Sequence, residues 1–371
     1  MAPVRSAGRL FSPLDNELQL LPGGLTPLLQ ERLVQVGTVA RSFAEGAGVF
    51  FSFTRTPVSE PTARRCAERA GAVMAAWESE GSPTAPAAPP ALEARETEVR
   101  EPEARDARPS WVGADGVFVR LVGGAWREVR TVTLGRVNPP RVGDEAERVS
   151  TTDLSYFSRL TDSAEVFLDD AAVEFQRREI AAAARVGAGA DGAEWCQRLF
   201  DRYCPQAVRS LDFYHAAERV ADFSKVLWQE QPELAHWYVG ERLHHLKHDG
   251  PADLLASLAA WSAAGGPAVR VAAQQQYQFF ASREALLDYP AVRAAGLPIG
   301  TGNAESANRH VIQDRLKGPG KFWAEAHVNP MLALRGAWCS ERWEEAWQAT
   351  SKRLAEGHHP LRLFHAPKTK S

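Results

Sequence analysis

One stretch divides this chain before any helix or strand is assigned. From Gly81 to about Arg108, Pro83, Pro86, Pro89 and Pro90 stand among alanines, and a run of alternating charge follows from Glu93. Such a segment lacks the apolar side chains needed to offset the entropy of ordering it, so it reads as a linker. The patterns on its two sides differ. Residues 1–80 carry helical periodicity, and the residues just after the linker alternate as strands do. With 371 residues there is length for two or three domains of roughly 100–200 each.

Thr26 to Val39 places Leu28, Leu29, Leu33, Val36 and Val39 at helical spacing. Val49 to Phe53 is rich in aromatic residues. Further on, Ser59 is positioned to cap a helix whose first turn holds Glu60 and Pro61. A helix, a turn and a helix bearing Arg64, Arg65 and Arg69 fit a helix-turn-helix that reads DNA. They fit a solvated helix face as well.

After the linker, Trp111 to Val122 reads as a strand, Gly123-Gly124 as a turn, and Trp126 to Val137 as the returning strand. Asp115-Gly116 inside the first strand runs against strand propensity. Either a turn or a functional carboxylate on the sheet accounts for it. Asp153 to Ala184 is expected to be largely helical, with Phe157, Leu160, Val166, Phe167 and Phe175 as its apolar positions. Small residues from Val186 then lead through Asp191-Gly192 into a helix from Trp195 to Phe200, a strand-to-helix junction where α/β sheets place functional side chains. Asp191 also suits a helix N-cap. Val208 to His215 repeats this step, with Asp212 and His215 three apart at the junction, suited to a metal or to a cap and a core histidine. From Ala221 to about Ala295 only helical segments are expected. His244 and His248 lie four apart there, but no HEXXH motif surrounds them, and a solvated helix face is favoured over zinc.

The stretch from Leu297 to Lys317 begins as a Gly/Pro turn and continues as a helix, with Asn303 as the expected N-cap and Val311, Ile312 and Leu316 as its apolar positions. Glu305 falls in its first turn, where the helix dipole favours a negative charge. Arg309, His310, Arg315 and Lys317 follow on the same helix, with Lys321 just beyond. The net charge of −3 does not mark a nucleic-acid binder, yet from Gly300 onward 11 Lys/Arg stand against 7 Asp/Glu, so a basic face is available there. Phe322-Trp323 and a Trp-rich helix (Trp338, Trp343, Trp347) come next, and residues 351–371 form a basic tail.

Asp115, Asp191 and Glu305 stand where a sheet and a packed helix would bring three carboxylates together. Like charges so placed repel, and hard oxygen ligands suit Mg²⁺ or Mn²⁺. Two such ions about 4 Å apart serve in-line phosphoryl displacement. The cations of the Glu305 helix would then hold a phosphate backbone.

Several segments together resemble one family. They are Asp115-Gly116 with Trp126 to Val129, Gly189 to Trp195, Asp212 to His215, Gly296 to Ser306, Arg315 to Lys317, and His327 to Trp343. In order and spacing they resemble the ISKra-type insertion-sequence transposases, a bacterial DDE family related to Mutator-like enzymes, over about Phe11 to Trp347. The resemblance implies an α/β fold: an RNase H-like core at 109–220, a helical insertion at 221–295, and completion of the core at 296–350. It implies Asp115, Asp191 and Glu305 as the catalytic, metal-holding triad for two Mg²⁺ or Mn²⁺ ions. Asp212 and His215 would form a supporting D-x-x-H element.

The expected activity is metal-dependent DNA strand cleavage and strand transfer. DNA contacts are expected from Arg64, Arg65, Arg309, Arg315, Lys317 and Lys321. The expected partners are element ends, target DNA and further copies of the chain in a synaptic complex. The family often carries Cys-rich zinc-binding sequence just before the segment matching Phe11 to Asp15, and this chain has no such cysteines. A truncated remnant that binds DNA and cleaves nothing is therefore the alternative. The four cysteines form no CxxC pair, and neither a secretory signal nor an apolar run of about 18 residues is present, so a cytoplasmic, nucleoid-associated protein with no membrane partner is expected.

Overall fold

The computed structural model describes residues 20, 24–80, 108–139 and 149–356. Most of the expected linker (81–108) and most of the basic tail (351–371) lie outside the described residues. In chain order the described elements begin with helices α1 (Pro27–Val39), α2 (Phe43–Thr54) and α3 (Glu60–Glu80). Strands β1 (Ser110–Arg120), β2 (Trp126–Val137) and β3 (Thr151–Leu160), helix α4 (Ala164–Arg177), strand β4 (Val186–Ala190), helix α5 (Glu194–Tyr203) and strand β5 (Val208–Leu211) follow. Next come α6 (Phe213–Leu227), α7 (Pro232–His248), α8 (Ala252–Ala264), α9 (Pro267–Ala281), α10 (Tyr289–Ala294) and α11 (Gly302–Ala307). A π-helical segment (Asn308–Gln313), α12 (Asp314–Leu316), α13 (Val328–Cys339) and α14 (Trp343–Glu356) complete them. Contacts divide the chain into two compact units: residues 1–80, 121–124 and 314–371, and residues 81–120 and 125–313.

The first unit is helical. Thr26 and Ser42 cap α1 and α2, and the Glu45 carboxylate accepts the amide of Arg41, just before the second cap, at 2.8 Å. The face of α3 that carries Ala63, Ala67, Ala70, Gly71 and Met74 is buried, and α3 packs on α13. Gly71 is required there: a Cβ would stand 2.3 Å from the Pro330 carbonyl oxygen. The sequence places residues 296–350 with the sheet, whereas α13 and α14 pack on α3.

The second unit is α/β. Its five strands lie in the order β3-β2-β1-β4-β5, with β2 antiparallel to both β3 and β1, and β4 and β5 parallel to β1. One face of the sheet packs Val112, Ala114, Val132, Leu134, Ala188 and Ala190 against α4 and α5. On the other, Trp111 is fully buried against Leu297. The small-residue run of β4 follows from this: a Cβ at Gly187 or Gly189 would come within 2.7 or 2.8 Å of the Trp111 ring. Helices α6 to α10 bury a separate core around Phe223, Tyr238, Leu258, Phe280 and Tyr289. No strand interrupts residues 221–295, as expected.

The expected helix from Asp153 is corrected at its start. Residues 151–160 form strand β3, and α4 begins only at Ala164, capped by Ser163. Phe157 and Leu160 sit three apart, which mimics a helical face. The six residues Ser155 to Leu160 are all buried, however, and Val129 to Leu134 of β2 supplies the ladder that holds them extended.

Candidate active site

The site begins where β4 ends. Ala114 of β1 pairs with Ala190 of β4, so Asp115 and Asp191 are the next residues on two neighbouring parallel strands. Ligand sites in α/β sheets lie just beyond such strand ends. Asp115 is thus a strand residue, and a turn is not the reason for its Asp-Gly pair. Burial pushes its carboxyl up to about 6; the negative charge of Asp191 adds to this, and the Gly116 amide, the His215 imidazole and the Asn308 amide partly offset it. Asp191 accepts the Ala193 amide at 2.9 Å, holding the turn into α5. Beneath the pair, the Cys196 thiol is buried and pushed well above its ordinary value by desolvation, then by Asp191, Asp115 and Glu128, so it acts as apolar packing.

Glu305 stands in the first turn of α11 and is exposed. The N-cap is Thr301, two residues before the expected Asn303. Asn303 lies inside the helix, its Oδ1 accepting Trp111 Nε1 at 3.3 Å and its following amide at 2.8 Å. That bond and the packing of α11 on β1 and β2 place the helix over the sheet. Three residues beyond Glu305, and so on the same helix face, Asn308 is 3% exposed and donates Nδ2 to Asp115 Oδ2 at 2.6 Å. Its Oδ1 is buried with no hydrogen-bond partner. Asn308 is a site residue that the sequence does not reveal; its one signal is its spacing from Glu305. The helix then widens into the π-helical segment, a rare form common at functional sites. This segment exposes Arg309 and His310.

Among the described residues no three His, Cys, Asp or Glu side chains converge as a metal-holding group. Asp115 and Asp191 are brought together; Glu305 shares no hydrogen bond or ion pair with either. His215 stands near Asp115 and lies 3.5 Å from Glu218. Asp212 is buried and accepts the amides of Tyr214 at 2.7 Å and Thr301 at 3.2 Å. Arg283 reaches the Gly192 carbonyl at 3.3 Å, fixing the backbone next to Asp191, and stacks over Phe279.

The expected DNA-contacting residues divide. Arg309, Arg64 and Arg65 are exposed; Arg64 faces Glu68 at 3.9 Å and Arg65 donates to Thr62 at 3.2 Å. Lys317 and Lys321 are half-buried, and Lys321 donates to the Arg315 carbonyl at 3.3 Å. Arg315 is not on an exposed face. It is 3% exposed and donates to the Gly37 and Arg41 carbonyls, both at 3.2 Å. No described helix is long and apolar enough to cross a membrane. No protein-family model matches the chain, and no curated protein is significantly similar to it.

Proposed function

We propose that this protein is a DDE-type transposase whose α/β unit is an RNase H-like core with α6 to α10 as a helical insertion. The observation that carries the reading is the pair Asp115 and Asp191, each one residue beyond the paired Ala114 of β1 and Ala190 of β4 and close enough for the Asp191 charge to raise the Asp115 carboxyl. The strand order 3-2-1-4-5 and the helix bearing Glu305 across β1 support it.

The donor set fits Mg²⁺ or Mn²⁺. Burial, with the Asp191 charge added, holds the Asp115 carboxyl high, and beside it the Asn308 side-chain oxygen is buried without a hydrogen-bond partner. Both are hard oxygen donors. Asp115 and Asp191 would hold the ions, with Glu305 completing their surroundings. Bound there, two ions would activate the attacking oxygen and stabilise the leaving one.

The chain's own residues do the rest. Asn308 donates to Oδ2 of Asp115 and the Gly116 amide to Oδ1 at 2.7 Å, so the carboxylate is oriented at both oxygens. Arg309 offers an exposed guanidinium for a backbone phosphate. His215 holds positive charge near Asp115 when protonated. The reaction is attack by water on the phosphodiester at an element end, which breaks the bond to the 3′ oxygen and frees a 3′-OH. That hydroxyl then attacks a target phosphodiester and displaces a target 3′ oxygen.

The test is Mn²⁺-dependent cleavage of DNA carrying the element's ends, wild type beside Glu305→Ala. Cleavage by the wild type, lost in the variant, is expected. The exposed position of Glu305 favours one second reading, a chain that binds the ends and cleaves nothing; binding without cleavage by the wild type would establish it.

A further inference from the structure

The strand end that carries Asp191 and the helix that carries Glu305 are joined through one buried carboxylate. Asp212 follows β5 and is 4% exposed. Its amide donates to the Ala190 carbonyl at 2.8 Å, the residue just before Asp191. Its Oδ1 accepts the Tyr214 amide at 2.7 Å, capping α6. Its Oδ2 accepts the Thr301 amide at 3.2 Å and the Thr301 hydroxyl as well. Thr301, 5% exposed, is the residue whose carbonyl receives the Ala304 and Glu305 amides at 2.7 and 3.0 Å. Beside this, the Phe213 amide donates to the Ile299 carbonyl at 3.0 Å. A continuous path of hydrogen bonds therefore runs from Ala190 through Asp212 and Thr301 to the backbone of Glu305.

We infer that Asp212 is a positioning residue that sets the last acid of the site against the second, with Thr301 as its receiving latch. The inference rests on the transposase reading for its catalytic consequence, and on geometry alone for the latch. A surface cap would need one acceptor bond. Asp212 takes three donors, one from its own turn and two from Thr301, 89 residues away, in a place closed to solvent. Charge-assisted bonds of this kind are shorter and stronger than neutral ones and restrict direction. Gly300 and Gly302 flank Thr301 at the entry to α11, and the Thr301 side chain makes no cap bond into the helix. The Thr301 hydroxyl is turned back to Asp212, so the entry to α11 is held from outside the helix.

The experiment uses the full chain with Thr301→Val, Thr301→Ser and Asp212→Asn. Thr301→Val keeps the shape and removes the hydroxyl donor; Thr301→Ser keeps the donor. Amide hydrogen exchange over residues 302–308 is read first, because it needs no activity. Exchange there is expected to rise about tenfold in Thr301→Val and Asp212→Asn, and to stay near wild type in Thr301→Ser. With DNA substrate and Mn²⁺, kcat is expected to fall about tenfold in the first two with KM for DNA unchanged, and to recover in Thr301→Ser. Unchanged exchange at 302–308 in both Thr301→Val and Asp212→Asn overturns the latch. Raised exchange with unchanged kcat in an active enzyme overturns the positioning role. A wild type that cleaves nothing overturns the transposase reading and leaves the exchange result to decide the latch.

Discussion

Arg315 in the helical unit is buried and Asp115 in the sheet unit is half-buried, and these two charges have opposite circumstances. In the helical unit Arg315 lies over the Phe43 ring at 4.3 Å and the Trp323 ring at 5.3 Å and donates to carbonyls just past and within the end of α1. Arg335 adds a bond to the Thr38 carbonyl at 3.3 Å. Cations at a helix C-terminus meet the negative end of its dipole and satisfy its unpaired carbonyls. In the sheet unit Asp115 has one side-chain donor, one neighbouring amide and a second carboxylate beside it. Burial of a charge therefore does not by itself mark function; a carboxyl raised by burial beside a like charge is the stronger sign of a functional site.

The comparison breaks most visibly if Asp115 can be neutralised without loss of chemistry. In the proposed enzyme, Asp115→Asn should lower Mn²⁺-dependent cleavage by at least about a hundredfold, read as initial rates on end-bearing DNA. Retained cleavage would remove Asp115 from the site.

Arg315→Met probes the other side. Two carbonyls lose their donor inside a packed unit, at about 1–3 kcal/mol for each group left unsatisfied. A loss of about 2–4 kcal/mol in urea unfolding of the helical unit is expected. A change below about 0.5 kcal/mol would return Arg315 to the solvated surface that its sequence suggests.

A smaller effect concerns pH. The Asp115 carboxyl titrates at about 6 when folded, against about 3.9 unfolded. Between these values the folded chain keeps a proton that the unfolded chain has lost. Stability from this group is therefore full at low pH and falls as pH rises from about 4 to about 6. The shift corresponds to at most about 3 kcal/mol. Asp115→Asn should then be more stable than wild type at pH 7.5, with the difference vanishing toward pH 4 as measured by denaturant titration at each pH. Mn²⁺ should close the gap from the wild-type side, and more strongly above pH 6.

The same contrast marks what could be read without coordinates. The β1–β2 hairpin was legible because Gly123-Gly124 separates two runs of alternating and β-branched residues, and the ends fall at Trp126 and Val137 as expected. That Asp115 and Asp191 would be brought together by a sheet was legible, because each Asp-Gly sits within or just past a strand-like run, Asp115 in β1 and Asp191 directly after β4. Strand β3 was not, since its apolar spacing is ambiguous and its pairing with β2 decides the matter. Nor were Asn308 and Thr301, whose roles depend on partners 193 and 89 residues away. Arg315 misled for a related reason: an Arg between Asp314 and Lys317 looks solvated, and only the Phe43 and Trp323 rings bury it.

Arg309 gives the smallest and most specific test, because it lies on the same stretch as Arg315 with the opposite exposure. Its truncation removes no buried contact, so Arg309→Ala should change stability by less than about 0.5 kcal/mol. If it meets a phosphate, the variant binds element-end DNA more weakly across all sequences. The slope of log affinity against log salt should also become shallower by about 1. Fluorescence anisotropy from low to moderate salt reads both quantities. An unchanged slope would assign Arg309 to solvent, and the exposed π-helical face would then play no part in holding the backbone.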